Sequence, residues 1–464
     1  MVKLKWDRGA AEPARQPIVR LAKCGYVLTA HAFGQDRAAG GKAMTSRERV
    51  LRAFEHREPD AVPIDFSGHR SSGIAALCYP GLRRHLGLPA RPVRVYDPIQ
   101  QLAVVDEDVC ARFRVDTVEM GRGFCRADSD WKQWTLPDGS PCQMPAWVKL
   151  ERQSGEWAMK SGSGSVLGRM PDGALYFEQA SFPFVDADDL AGLAGAYEEC
   201  MWTSSSTAAP PGPLPAGEEG TRRLREGAAL LRSGTDRAIV GLFGGNLLEA
   251  GQFLYRNDNF FMLLAGEPAR AEAFMDAAVA MYLENLRRFL GAVGDFIDII
   301  VFGDDLGMQT GPQISPAMYR SLFKPRHRIL WETAKKLAPA GRGGDPARPA
   351  VRVMLHSCGS IRSLLPDLIE AGLDAVNPVQ VSTAGMEAEG LKRDFGRDIV
   401  LWGGGCDTQT VLRSGTPKEV SSHVKRQVQS LAPGGGFVFQ QVHNILAGVP
   451  PENIVAMFDA IRSP

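Results

Sequence analysis

From residue 45 onward, short apolar runs alternate with longer stretches whose apolar positions recur at helical spacing. The short runs lie at 62–66, 115–120, 237–243, 296–303, 351–356, 373–379, 398–402 and 435–440, and their length predicts buried strands. Helical periodicity predicts helices over 268–290, 316–338, 360–371, 383–395, 417–431 and 451–462. Pro316, Pro417 and Pro451 stand just inside three of these helix starts, where a missing N–H costs nothing. A further helix begins after Thr45 or Ser46 and carries Val50, Leu51 and Phe54 as its apolar positions. Strands alternating with helices pair in parallel through crossovers. Eight such units predict closure into a (β/α)8 TIM barrel.

Two stretches break the rhythm. Residues 124–185, with Pro137-Asp138-Gly139 and Pro171-Asp172-Gly173, predict antiparallel hairpins inserted after the second strand, packed by Trp131, Trp134, Trp147 and Trp157. Residues 203–220 predict a low-complexity loop, so the whole insertion spans about 124–220. A second loop is expected at 339–350. Residues 1–43 carry no clean periodicity and are expected to be a disordered extension, with Met44 as the natural start and 44–464 as one barrel domain.

Composition narrows the function classes. Lys+Arg and Asp+Glu both number 53, so the basic excess of a nucleic-acid binder is missing. The eight cysteines are scattered through 464 residues, which fits a reducing, cytoplasmic setting rather than a disulfide framework. No apolar run is long enough to predict a membrane span or a signal sequence.

The candidate chemistry sits at strand ends. The run ending at Leu355 is followed by His356-Ser357-Cys358, and the run ending at Trp402 by Gly403-Gly404-Gly405-Cys406. Both fall on the C-terminal rim, where barrel enzymes keep their active sites. One histidine and two cysteines with an open fourth position match a catalytic zinc centre. The competing reading is that each cysteine is a small buried apolar residue.

Longer segments resemble the uroporphyrinogen decarboxylase superfamily: Arg57-Glu58-Pro59-Asp60-Ala61-Val62-Pro63-Ile64, Gly303-Asp304-Asp305-Leu306-Gly307 with Ile314-Ser315-Pro316, and Val442-His443-Asn444-Ile445 with Val449-Pro450-Pro451-Glu452-Asn453-Ile454. Within it, His356, Cys358 and Cys406 resemble the zinc ligands of corrinoid-linked methyltransferases. That resemblance implies Zn2+, a corrinoid carried by a partner protein, and a small methyl donor (methoxylated in the O-demethylase type) or a thiol acceptor. A homodimer is compatible with it. Glu249, Gln380 and Asp305 are candidates for a fourth ligand, beside water or substrate. Asp304 or Asp305 is expected to supply a proton or anchor substrate while the other caps a turn, and His443 is expected to face the site. His69, Arg70, Asn377, Gln380 and Asn444 are the expected substrate contacts. Two rivals stand beside this reading. A metal-free porphyrinogen decarboxylase needs an arginine-rich loop after the first strand, and this chain has Arg70 alone in Asp65-Phe66-Ser67-Gly68-His69-Arg70. A non-catalytic barrel that binds a corrinoid or small ligand is the other.

Overall fold

The computed structural model describes residues 43–187 and 189–462, so the extension expected over 1–43 lies, apart from Ala43, outside the described residues. Among these, one parallel sheet runs in spatial order through Thr117–Glu119, Ala238–Gly244, Ile299–Gly303, Arg352–His356, Ala375–Asn377, Val400–Trp402 and Phe437–Val438. Each strand falls inside a run picked out by its apolar residues, save that Ala238–Gly244 ends one residue beyond 237–243. The first run, 62–66, closes the ring. Ile64 bridges Phe439 in parallel, the Asp65 N–H donates to the Phe439 carbonyl at 2.8 Å, and the Asp116 N–H donates to the Ile64 carbonyl at 2.8 Å. The fold is therefore of the TIM-barrel type.

Side-chain alternation along the strands sorts the core into two layers. Val240, Val301, Met354, Val400, Trp402 and Val438 fill the interior, together with Val50, Ala53 and Phe54. These last three come from the helix Ser46–Phe54, whose cap is Thr45 in a reciprocal capping box with Glu48. That helix reaches the strand starts, because Ala53 accepts from the Gly436 N–H and the Arg47 N–H donates to Asp236. Its apolar side thus stoppers the N-terminal end and leaves the C-terminal end for chemistry. Ile239, Val353, Leu355, Val376, Leu401 and Phe437 belong to the outer layer, with the helices.

The antiparallel hairpins expected after the second strand are present, between Trp131–Thr135 and Glu178–Gln179, and Val93–Asp97, from upstream of it, joins them by pairing parallel with Pro141–Pro145 and antiparallel with Leu102–Ala103. Two expectations need correction. The loop expected over 203–220 ends in a helix, Gly217–Gly234, whose first turn is masked in the sequence by glycines and prolines. The helix expected over 316–338 starts at Pro316 but widens into a π-turn over Tyr319–Phe323 before Lys324–Leu337. Pro325 has no N–H to feed the α-helical ladder there.

The closing segment is fastened by one carboxylate. Asp65 is fully buried and accepts from Gly68 N–H (2.9 Å), Thr117 Oγ1 (2.7 Å), Ser72 Oγ (3.1 Å) and Trp402 Nε1 (2.8 Å), with His69 Nε2 at 3.2 Å. Burial alone would raise its pKa. The neighbouring His69 and the bonds from His69, Thr117 and Trp402 outweigh burial and hold it below the ordinary value. Because the folded value is the lower one, this stabilisation is present at neutral pH and lost as pH falls through the carboxylate range. Asp65→Asn, which replaces one accepting oxygen by an NH2 group that faces donors, should destabilise the fold by roughly 2–4 kcal/mol at pH 7. Urea unfolding should show that deficit shrinking below about pH 4, whereas a pH-independent loss under ~0.5 kcal/mol would contradict the role given to Asp65.

Candidate functional site

Parallel register places His356 opposite Asn377 on the adjoining strand and opposite Gly303 on the other side. Asn377 Nδ2 donates both hydrogens, to the Trp402 carbonyl (3.0 Å) and to Gln440 Oε1 (2.7 Å). Its Oδ1 is left to accept from His356 Nδ1 at 2.9 Å. The imidazole is thereby fixed with its proton on Nδ1 and its lone pair on Nε2. Cys358 Sγ lies 3.5 Å from that Nε2. Among the described residues, His356, Cys358 and His443 bring ligand atoms within 4.8 Å of one another. The His356 and His443 rings are 5.7 Å apart.

Burial sets the protonation of this trio. It lowers both histidines, His443 to about 3, so the imidazoles are neutral and able to donate lone pairs. Burial, then Asp305 and Glu249, push the Cys358 thiol up, so a thiolate there requires a cation beside it. Two neutral nitrogens and one sulfur suit zinc, and a divalent cation would offset the carboxylates close by. Glu249 is held well above its ordinary value by burial and by Asp305 and Asp304.

The acidic pair after Gly303 divides its duties. Asp304 is fully buried and accepts from the Leu248 and Glu249 N–H groups at 3.1 and 2.9 Å, at the start of the helix Leu248–Tyr255. It is consumed by structure. Asp305 lines the cavity, accepts from the Cys358 N–H at 2.8 Å and lies 3.9 Å from His356 Nε2. Its own N–H donates to Glu249 at 2.9 Å. Close backbone approach makes this possible: a Cβ on Gly359 would sit 2.4 Å from the Gly307 carbonyl carbon.

Cys406, expected as the third ligand, lies outside the trio. It is fully buried in the outer layer, with Sγ 3.8 Å from its neighbour's carbonyl at Asp407. Gly403 and Gly404 take φ of 115° and 76°, which breaks the strand alternation that would have carried residue 406 inward with Trp402. The expected substrate contacts also separate. Gln380 accepts from the Gly359 N–H at 2.7 Å, and Asn444 ties the Gly73 N–H (2.7 Å) and Arg70 carbonyl (3.0 Å) to the rim. Asn377 orients His356, and His69 bonds Gln440 Oε1 at 3.2 Å. His69 and Arg70 both line the cavity.

That cavity, about 950 Å³, holds the trio on one wall and Trp202, Phe243, Phe253, Tyr282 and Phe289 on others. Glu119, at the end of the second barrel strand, also lines it. Sequence reasoning passed over Glu119 and Trp202, since an acid ending a strand and a tryptophan in a loop carry no motif. Among the described residues, no helix is long and apolar enough to cross a membrane.

Comparisons agree with this architecture. A methyltransferase from Methanosarcina mazei of known structure superposes with a TM-score of 0.51, covering 90% of this chain and 98% of its own at 16% identity, a likeness of fold. No curated protein matches the sequence. The profile of uroporphyrinogen decarboxylase (URO-D) matches residues 224–464, just over half of the chain and the part that carries the trio. With seven parallel strands and a closing segment arranged as described, this chain belongs to the uroporphyrinogen decarboxylase family.

Proposed function

We propose that this chain is a methyltransferase that moves a methyl group between a small methylated compound, of the methoxylated type, and a corrinoid protein, using zinc held by His356, Cys358 and His443. The observation that carries the reading is the donor trio opening onto a large cavity. The fold shared with a methyltransferase is in keeping with it. A zinc ion would supply Lewis acidity to the atom that bears the methyl group. The chain's own residues prepare the ground. Asn377 fixes the His356 tautomer, Glu249 fixes the backbone of Asp305, and Asp305 is placed to orient the substrate beside the trio. The corrinoid partner rests on the sequence resemblance and would dock over the C-terminal rim.

Charge weighs against the decarboxylase alternative. The cavity is lined by Arg70 and Arg288 against Glu119, Glu198, Glu249, Glu284 and Asp305. Burial holds Glu249 well above its ordinary value and Glu119 at about 7, but two arginines remain too few to meet the eight carboxylates of a porphyrinogen in bidentate pairs.

Purified protein should carry about one zinc per chain, lost on His356→Ala, Cys358→Ala or His443→Ala and kept on Cys406→Ala. Elemental analysis checks this, and full zinc in the first three variants would end the assignment.

Methyl transfer should need an added Co(I) corrinoid, since zinc accepts no methyl group. Asp305→Asn should keep zinc while lowering turnover on the order of 100-fold, the cost of lost orientation. Chelator-resistant release of CO2 from uroporphyrinogen would overturn the methyltransferase reading, and inertness with every corrinoid tried would favour a binding barrel.

A further inference from the structure

Glu119 stands apart from the trio and its supports. It ends the strand Thr117–Glu119, is 5% exposed, and has its side chain on the cavity wall. No hydrogen bond from another described residue reaches its carboxyl, and the influences on it are burial and nearby charges, Arg70 foremost. Its oxygens open onto the cavity, so the hydrogen bonds it lacks within the chain are left for a ligand or water. Burial pushes its pKa up to about 7, so neutral and ionised forms are both accessible near neutrality.

Arg70 is incomplete in the same way. Its Nε donates to Asp97 at 2.8 Å, and its guanidinium lies 5.7 Å from the Trp202 ring centroid. Nη2 is buried and makes no well-directed bond, although it lies 2.8 Å from the same Asp97 oxygen. Nη2 is thereby closed to the cavity, whereas Nη1 carries no hydrogen bond to another described residue and, on a cavity-lining side chain that is 18% exposed, is left for a further acceptor. Trp202 in turn stacks on Phe253, with centroids 6.0 Å apart and planes 22° from parallel.

An unbonded acid and an underused guanidinium therefore share the cavity with an aromatic wall. An anionic group would gain from Arg70 only by holding Glu119 in its protonated form, and an ammonium would gain from ionised Glu119 but be repelled by Arg70. A neutral hydroxyl suits both, because it accepts from Arg70 and donates to Glu119. We infer that Glu119 and Arg70 form a specificity-determining subsite for a neutral hydroxyl on a flat, apolar substrate whose ring packs against Trp202. This rests on the reading of the cavity as the methyl-transfer site, and it assigns the selection of substrate to residues that hold no metal.

Equilibrium binding separates the two readings, because it needs no turnover. Calorimetry on the zinc-loaded protein should compare 2-methoxyphenol, 1,2-dimethoxybenzene and 2-methoxybenzoate. The expected result is that 2-methoxyphenol binds at least about tenfold tighter than either of the others, roughly the value of one hydrogen-bonded pair in a buried site. The advantage should fall below about threefold in Glu119→Leu, and Glu119→Gln, which keeps an acceptor, should retain part of it. Equal or tighter binding of 1,2-dimethoxybenzene or 2-methoxybenzoate by the unaltered protein would overturn the subsite. So would failure of all three to bind, or an undiminished preference in a Glu119→Leu protein that melts like the parent. Zinc content and corrinoid-dependent methyl transfer, read separately, report on the broader function and need not fail with it.

Discussion

A single buried carboxylate holds the barrel shut, and the geometry of the rim follows from it. Asp65 joins the closing segment to the second strand through Thr117 and to the seventh through Trp402, and it braces the loop that carries His69 and Arg70. The connection continues upward. His69 bonds Gln440, Gln440 bonds Asn377, and Asn377 sets the tautomer of His356. Charge-assisted bonds in a water-poor interior are strong and directional, so a displacement at Asp65 would reach the donor trio through three successive side chains. Residues that touch no substrate thus decide where the Nε2 lone pair of His356 points.

The strands and the rim location were legible because both follow from chain periodicity. Apolar runs of the right length, separated by capped helices, leave few architectures other than a parallel barrel. Candidate site residues then stand just past strand ends, which is where His356, Cys358, Asp305 and His443 were expected and where they line the cavity. Cys406 was misplaced for a reason local to its glycines. The run Gly403-Gly404-Gly405 was taken as room for a ligand, whereas the positive φ of the first two turns the chain and sends the thiol outward. Backbone parity after a strand cannot be counted across residues free to adopt either hand. Asp304 and Asp305 could not be told apart in sequence either, since only the fold brings the start of Leu248–Tyr255 onto one of them.

Glu119 and Arg70 illustrate a different limit. Glu119 belongs to no motif, and Arg70, an expected substrate contact, was read only for its charge; the interest of both lies in polar groups that have no partner within the chain. Unsatisfied polar groups become visible once neighbours are known. The acidic balance of the cavity is likewise a property of five carboxylates drawn from separate segments, invisible in a chain whose formal charges cancel.

The proposed metal site offers one sulfur, from Cys358, and two imidazoles, from His356 and His443. X-ray absorption at the zinc edge of the metal-loaded protein counts those donors directly. One sulfur near about 2.3 Å, with nitrogen or oxygen donors near about 2.0–2.1 Å and the multiple scattering of two imidazoles, is the predicted spectrum. Two sulfur scatterers would bring Cys406 back into the coordination sphere and contradict the arrangement described, as would a spectrum with no sulfur at all.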